Sequence, residues 1–278
     1  MHRRSLSRRT PLTLLATATV GAALFAASVG PASAEKADAP QHPKPTVVLV
    51  HGAFADSTSW NGVVKELKEE GYPVVAAANP LRGLSSDAAY VRELVASIDG
   101  PVVLAGHSYG GAVITNAARG ADNVKALVYL AAFMPDKGES AAALAEKFPG
   151  SSLGQALRPV PVHLPDGSQG ADLYIDQKKF PQQFAADVSR NTARLMAVTQ
   201  RPVTDVALGE ESGEPAWKTV PSWTMVASED LNIPPRTQQF MAKRAKSHTV
   251  EVEASHAVTV SQPDDVAELI ERAARATR

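Results

Sequence analysis

The feature that most limits the fold is an ordered alternation of short apolar runs and stretches with helical spacing. Thr46-Val-Val-Leu-Val50 is rich in β-branched residues and bounded by Pro45 and Gly52, which reads as a strand buried on both faces. Trp60, Val63, Val64 and Leu67 follow at helical spacing, and Gly71 stops that helix. Residues 73–77, 101–105, 124–130, 221–227 and 248–253 read as five further strands. Helices are expected between them: one capped by Ser86 and Asp87, one over 109–119, one over 234–245, and a last from Ser261 to Ala276. Alternation of this kind implies a mostly parallel α/β sheet of about six strands, flanked by helices on both faces. The stretch 134–220 breaks the pattern, with helical pieces at 139–147 and 181–198 among Pro-, Gly- and Ser-containing loops. It is expected to form a helical cap over the C-terminal edge of the sheet, where sites of open α/β sheets lie.

The first 34 residues stand apart. Arg3, Arg4, Arg8 and Arg9 are followed by an apolar run over 12–29 and by Ala32-Ser33-Ala34, a small-residue cleavage pattern. This reads as a signal peptide, with a secreted protein that starts near Glu35. Ser7-Arg8-Arg9 followed by Leu12 suggests the twin-arginine route, and an ordinary basic leader is the alternative. Thr13, Thr17, Thr19, Gly21 and Ser28 make the run weakly apolar for a lasting membrane anchor. Residues 35–45, with Pro40, Pro43 and Pro45, read as an extended linker to one domain over 46–278. A net charge of −1 argues against a nucleic-acid partner, which a basic face would serve. The chain has no cysteine, which removes disulfides, thiolate metal sites and a cysteine nucleophile.

The chemistry centres on Gly106-His107-Ser108-Tyr109-Gly110, a G-x-S-x-G pattern lying directly after one predicted strand and directly before a helix. A serine on so tight a turn needs glycine two positions to either side, because side chains there would collide. The phosphate-binding alternative lacks both G-x-G-x-x-G and a Walker lysine. A serine hydroxyl needs a base at neutral pH, and in an elbow of this type the acid and then the histidine come later in the chain. His163 falls in the cap and His248 opens a strand, whereas His256 follows the last strand and is expected at the same sheet edge as Ser108. Asp230, just past the strand over 221–227, is the expected acid that orients the imidazole; Asp136 and Glu229 are the competitors. The oxyanion formed on attack is expected to meet the backbone N–H groups of Ala53 and Tyr109. His51 and His107 read as structural. Phe54, Phe133 and Met134 flank these turns and either line a pocket or pack the core.

These segments together resemble the α/β-hydrolase superfamily, and within it the lid-bearing branch of plant methylesterases and hydroxynitrile lyases. The resemblance is carried by Val48-Leu-Val-His-Gly-Ala53, Gly106 to Gly111, Leu130-Ala-Ala-Phe-Met-Pro-Asp136, and Ser228-Glu-Asp230 with Ile233-Pro234. It implies Ser108 as nucleophile, Asp230 as acid, His256 as base and the amides of Ala53 and Tyr109 as the oxyanion site. The lyases carry a lysine after the catalytic histidine and a cysteine in the elbow, whereas this chain has Ala257 and Tyr109. The expectation is therefore an exported serine hydrolase, free of metal and organic cofactor, acting on a small apolar ester. Lactones, thioesters, a haloperoxidase-like side activity and a non-catalytic binder on the same fold are the alternatives.

Overall fold

A computed structural model of the protein describes residues 43–164 and 167–277. The expected leader, and most of the expected linker, lie outside the described residues. The strands are β1 (Thr46–Val50), β2 (Val74–Ala77), β3 (Val102–His107), β4 (Val124–Leu130), β5 (Leu157–His163), β6 (Gln169–Ile175), β7 (Val203–Thr204), β8 (Ser222–Ala227) and β9 (His248–Val252). Six of them form one sheet in the order β2-β1-β3-β4-β8-β9, and every pairing in it is parallel.

Strand alternation divides the core in two. Val48 and Val50 of β1 and Val102 and Leu104 of β3 face one side, with Leu84, Ala88, Val91 and Val95 from the helix Leu84–Ala96 and Ala112 and Val113 from the helix Tyr109–Ala117. Val47, Leu49, Val103 and Ala105 face the other, against Val63 and Leu67 of the helix Asn61–Glu69 and Val266, Leu269, Ile270 and Ala273 of the helix Pro263–Ala276. Both faces of these strands are covered, which is why they read as continuous apolar runs rather than alternating ones. Asp87 departs from its expected role as a cap: the helix starts at Leu84 behind Gly83, and the Asp87 carboxylate turns into the core.

The strand order matters for function. From β1 the chain goes outward to β2, then returns past β1 to β3 on its other side. The segments leaving the C-terminal ends of β1 and β3 therefore diverge, and a crevice opens between them at this switch point. His51 to Phe54 follow β1 there and Ser108 follows β3.

The insertion is less helical than expected. Its helices are short: Ala141–Ala145, Leu153–Ala156, Phe180–Phe184, Arg190–Thr199 and Asp205–Gly209. The piece expected over 181–198 is two helices separated by residues 185–189. Besides these helices the cap holds a three-stranded antiparallel sheet in the order β5-β6-β7. Pro159 and Pro161 hid β5 from sequence reasoning. They are tolerated because β5 is an edge strand, where a missing N–H can face away from the ladder.

Candidate active site

Three segments converge at the switch point. Ser108 sits between β3 and the following helix with φ 54° and ψ −124°, a sparsely populated positive-φ conformation that costs a non-glycine residue on the order of 1–3 kcal/mol. Neighbouring glycines let the chain make this turn. A Cβ on Gly106 would lie 2.5 Å from the Gly110 carbonyl oxygen, and one on Gly110 would lie 2.3 Å from the Val50 oxygen. Gly52 matters for the same reason, since a Cβ there would come within 2.6 Å of the Ser108 Cβ. The β1 turn is thereby packed directly against the serine.

His256 arrives on the loop after β9, and Asp230 on the loop after β8. His256 Nε2 lies 2.8 Å from Ser108 Oγ, and His256 Nδ1 lies 2.7 Å from Asp230 Oδ2. All three side chains are buried. The carboxylate is fully supplied with donors: Asn232 N and Ile233 N reach Oδ1 at 2.7 and 3.0 Å, and Gln238 Nε2 reaches Oδ2 at 2.9 Å. Those bonds fix the plane of the carboxylate and so fix where the imidazole can sit.

The competing residues are elsewhere. Asp136 pairs with Lys218 at 2.7 Å, Glu229 is exposed, and His163 ends β5 exposed on the cap. His248 is exposed and stacks on Trp223, with ring centres 4.9 Å apart. His51 is buried in the β1 turn, its Nδ1 2.9 Å from the Gly52 oxygen, while Asn79 Nδ2 donates to the His51 carbonyl. His107 is buried beneath the site, and burial holds its imidazole well below the ordinary histidine value. It is therefore neutral, and its Nε2 lies 2.8 Å from the carbonyl oxygen of His256, the geometry of an N–H donating to that loop.

The expected oxyanion amides flank the serine. Tyr109 N is the first N–H of its helix, which has no intrahelical acceptor. The next amide along from Ala53, that of Phe54, is taken by the Arg201 carbonyl at 3.0 Å. Ala53, Phe54, Ser108, Tyr109, Phe133 and His256 all line one cavity of about 50 Å³. Met134, expected beside Phe133, does not line it; Met134 is core, with its sulfur 3.4 Å from the Thr224 hydroxyl. Larger depressions of about 340 and 640 Å³ on the cap contain none of Ser108, Asp230 and His256.

Several supporting residues escaped sequence reasoning. Phe184 of the cap meets the His256 ring edge-on at 4.9 Å and also packs against Phe54 and Phe180. Gln183 donates from Nε2 to the Leu231 carbonyl and to Asn232 Oδ1. Asp187 bonds both the hydroxyl and the amide of Ser255, the residue before His256. Gln238 had one readable signal: it is a polar residue in the buried stripe with Met241 and Ala242 on the helix Pro235–Arg244.

Beneath Tyr109 lies a buried acid. Tyr109 Oη donates to Asp87 Oδ2 at 2.9 Å, and Arg82 N donates to Oδ1 at 3.2 Å. Burial pushes the Asp87 carboxyl above its ordinary value. The folded protein thus holds this proton more tightly than the unfolded chain, and stability falls as pH rises from the ordinary carboxylate value through the raised one. Tyr109→Phe removes the side-chain donor from the charged form, leaving the backbone donors of Arg82 and Gly83, and is expected to cost about 1–3 kcal/mol at neutral pH and less near pH ~4. Urea unfolding midpoints at the two pH values check this; an equal loss at both would show that the hydroxyl does not serve the carboxylate.

With the geometry described, known proteins can be set beside it. The sequence model of the Alpha/beta hydrolase family matches residues 47–269. The α/β hydrolase nvfD of Aspergillus novofumigatus is 25% identical over 252 residues, covering 83% of this chain and 97% of that protein. Methylesterase 2 of Arabidopsis thaliana is 27% identical over 229 residues, covering 70% and 81%. The crystal structure of polyneuridine aldehyde esterase superposes with a TM-score of 0.71 at 22% identity, covering 82% of this chain and 98% of that one. The parallel sheet, the elbow after β3 and the matched span agree: the chain belongs to the alpha/beta hydrolase family.

Proposed function

We propose that the protein is a serine hydrolase that cleaves carboxylic esters of small, largely apolar molecules through an acyl-enzyme. The observation that carries this reading is the hydrogen-bonded series from Ser108 Oγ through His256 to Asp230, with contacts of 2.8 and 2.7 Å, buried against a mainly apolar cavity. Methylesterase and esterase names among its relatives support an ester as the substrate.

Ser108 Oγ adds to the ester carbonyl carbon as its proton passes to His256 Nε2. Asp230 Oδ2 accepts the Nδ1–H throughout, keeping the reactive tautomer and stabilising the imidazolium. The carbonyl oxygen, now an oxyanion, is held by the N–H groups of Ala53 and Tyr109; removing one such donor typically costs about 2.7–4 kcal/mol of transition-state stabilisation. Collapse expels the alcohol, which takes its proton from His256. Water then attacks the acyl-enzyme with the same base, releasing the acid and restoring Ser108. Lactones and thioesters would pass through the same steps. In the same proposal residues 1–34, with their four arginines and Ala32-Ser33-Ala34, are an export leader, and the enzyme works outside the cell.

A fluorophosphonate probe tests the nucleophile. One equivalent is expected to bind covalently at Ser108, located by peptide mass, and a panel of short esters, lactones and thioesters should then rank the substrates. Folded protein that hydrolyses none of the panel and leaves the probe unreacted would make it a binder on a hydrolase fold.

A further inference from the structure

The cavity at Ser108 is small, about 50 Å³, and among the described residues no Asp, Glu, Lys or Arg lines it. Beyond Ser108, His256 and Tyr109, whose hydroxyl is turned away to Asp87, the polar side chain in its wall is Asn232. Asn232 is only 2% exposed. Its Oδ1 accepts from Gln183 Nε2 at 2.8 Å. Gln183 is itself oriented, since its Nε2 also donates to the Leu231 carbonyl and its Oε1 accepts from the Ser152 hydroxyl at 2.8 Å. This network leaves one orientation for the Asn232 amide, and in it Nδ2 has no acceptor among the described residues.

Buried donors without an acceptor are rare and costly, and one carried by a residue that lines a reaction cavity has a natural partner in what the cavity receives. We propose that Asn232 is a specificity-determining residue whose Nδ2–H binds an oxygen of the substrate other than those of the scissile ester. The preferred substrates are then neutral esters whose buried part carries an ether, keto or hydroxyl oxygen, rather than plain alkyl esters. The uncharged wall disfavours an ionised group at that place, because nothing in it would pair the charge. A site built around a donor discriminates against an isostere that lacks the acceptor, since binding it leaves the donor buried and unpaired. The inference rests on the reading of Ser108 as nucleophile.

The test uses two esters of equal length and the same leaving group: 4-nitrophenyl methoxyacetate and 4-nitrophenyl butanoate, in which an ether oxygen replaces a methylene. The ratio of their kcat/KM values is divided by the ratio of their hydroxide-catalysed rates, which removes the difference in intrinsic reactivity. The corrected ratio is expected to favour methoxyacetate by about tenfold in the unaltered protein and to fall to near one in Asn232→Leu. Gln183→Leu keeps the Asn232 side chain but removes the bonds that orient its amide and help hold its loop; both esters share any loss from the loop, and the ratio is expected to move the same way by a smaller factor. This second variant serves if the first fails to fold. A corrected ratio near one in the unaltered protein, or one that neither variant moves, overturns the assignment of Asn232 while leaving the hydrolase reading intact. Loss of hydrolysis of both esters by the unaltered protein, with Ser108 unlabelled, overturns the hydrolase reading and this inference with it.

Discussion

Ser108→Ala is expected to lower kcat on a small ester by a factor on the order of 10⁴–10⁶ and to abolish fluorophosphonate labelling. The expectation follows from the absence of any substitute nucleophile in the cavity. Beyond Ser108 and His256 its wall is built of alanines, Phe54, Phe133, aliphatic side chains and the non-nucleophilic amide of Asn232, and the Tyr109 hydroxyl is turned to Asp87. On the proposed mechanism, what survives is the contribution of the Ala53 and Tyr109 amides and of substrate positioning. KM should change little, because the hydroxyl contributes to the transition state far more than to the bound ester. A folded variant that keeps more than about a tenth of the activity would move the chemistry away from this serine.

Asp230→Asn is expected to cost roughly 10⁴-fold in kcat, and the reason can be followed atom by atom. Oδ1 still accepts from Asn232 N and Ile233 N, so the new amide group presents its NH2 where Oδ2 was. Two donors already point at that place, Gln238 Nε2 and His256 Nδ1. The imidazole escapes the clash by shifting its proton to Nε2. That nitrogen then faces Ser108 Oγ as a donor and cannot take a proton from it. Asp136→Asn is the control, since the Asp136 carboxylate is half-exposed and paired with Lys218. It should leave kcat within about threefold and cost at most about 1 kcal/mol of stability. A large loss from Asp136→Asn with a small one from Asp230→Asn would transfer the acid to Asp136.

The sequence showed the parts that obey a simple period or a tight steric rule. β1 and β4 run as read, Thr46–Val50 and Val124–Leu130, because strands covered on both faces are apolar along their buried length, with Thr46 and the exposed Lys125 confined to their starts. The elbow was legible because its turn tolerates so few residues at Gly106 and Gly110. The order Ser108, Asp230, His256 could be read because each follows a strand in a parallel sheet, whose strand ends share one edge. Beyond that edge the sequence carried less. The cap sheet is half-exposed and interrupted by Pro159 and Pro161, so neither periodicity nor composition marked it. Gln183, Asp187 and Gln238 act on partners 49, 68 and 8 residues away in the chain, and such pairings exist only once the fold has formed. Met134 was equally ambiguous, since a large apolar residue beside a catalytic turn suits a pocket wall and a core alike.

The short cap stretch from Gln183 to Asp187 has a consequence for how such an enzyme can change. Gln183 ties the loop that carries Asp230, Asp187 ties the loop that carries His256, and Phe184 roofs the imidazole between them. Roof and buttress are one piece, so swinging this part of the cap outward loosens acid and base together. Ala142, Ala145, Leu153 and Leu208 also border the cavity with apolar side chains; Ser151 and Ser152, just before Leu153, bond the carbonyls of Asn232 and Leu231, whereas among the described residues no hydrogen bond ties Ala142, Ala145 or Leu208 to either loop. The protein thus separates a keystone from a doorway: on the proposed mechanism, changes at Ala142, Ala145 and Leu208 can reshape the doorway while the stretch from Gln183 to Asp187 keeps Ser108, His256 and Asp230 in register.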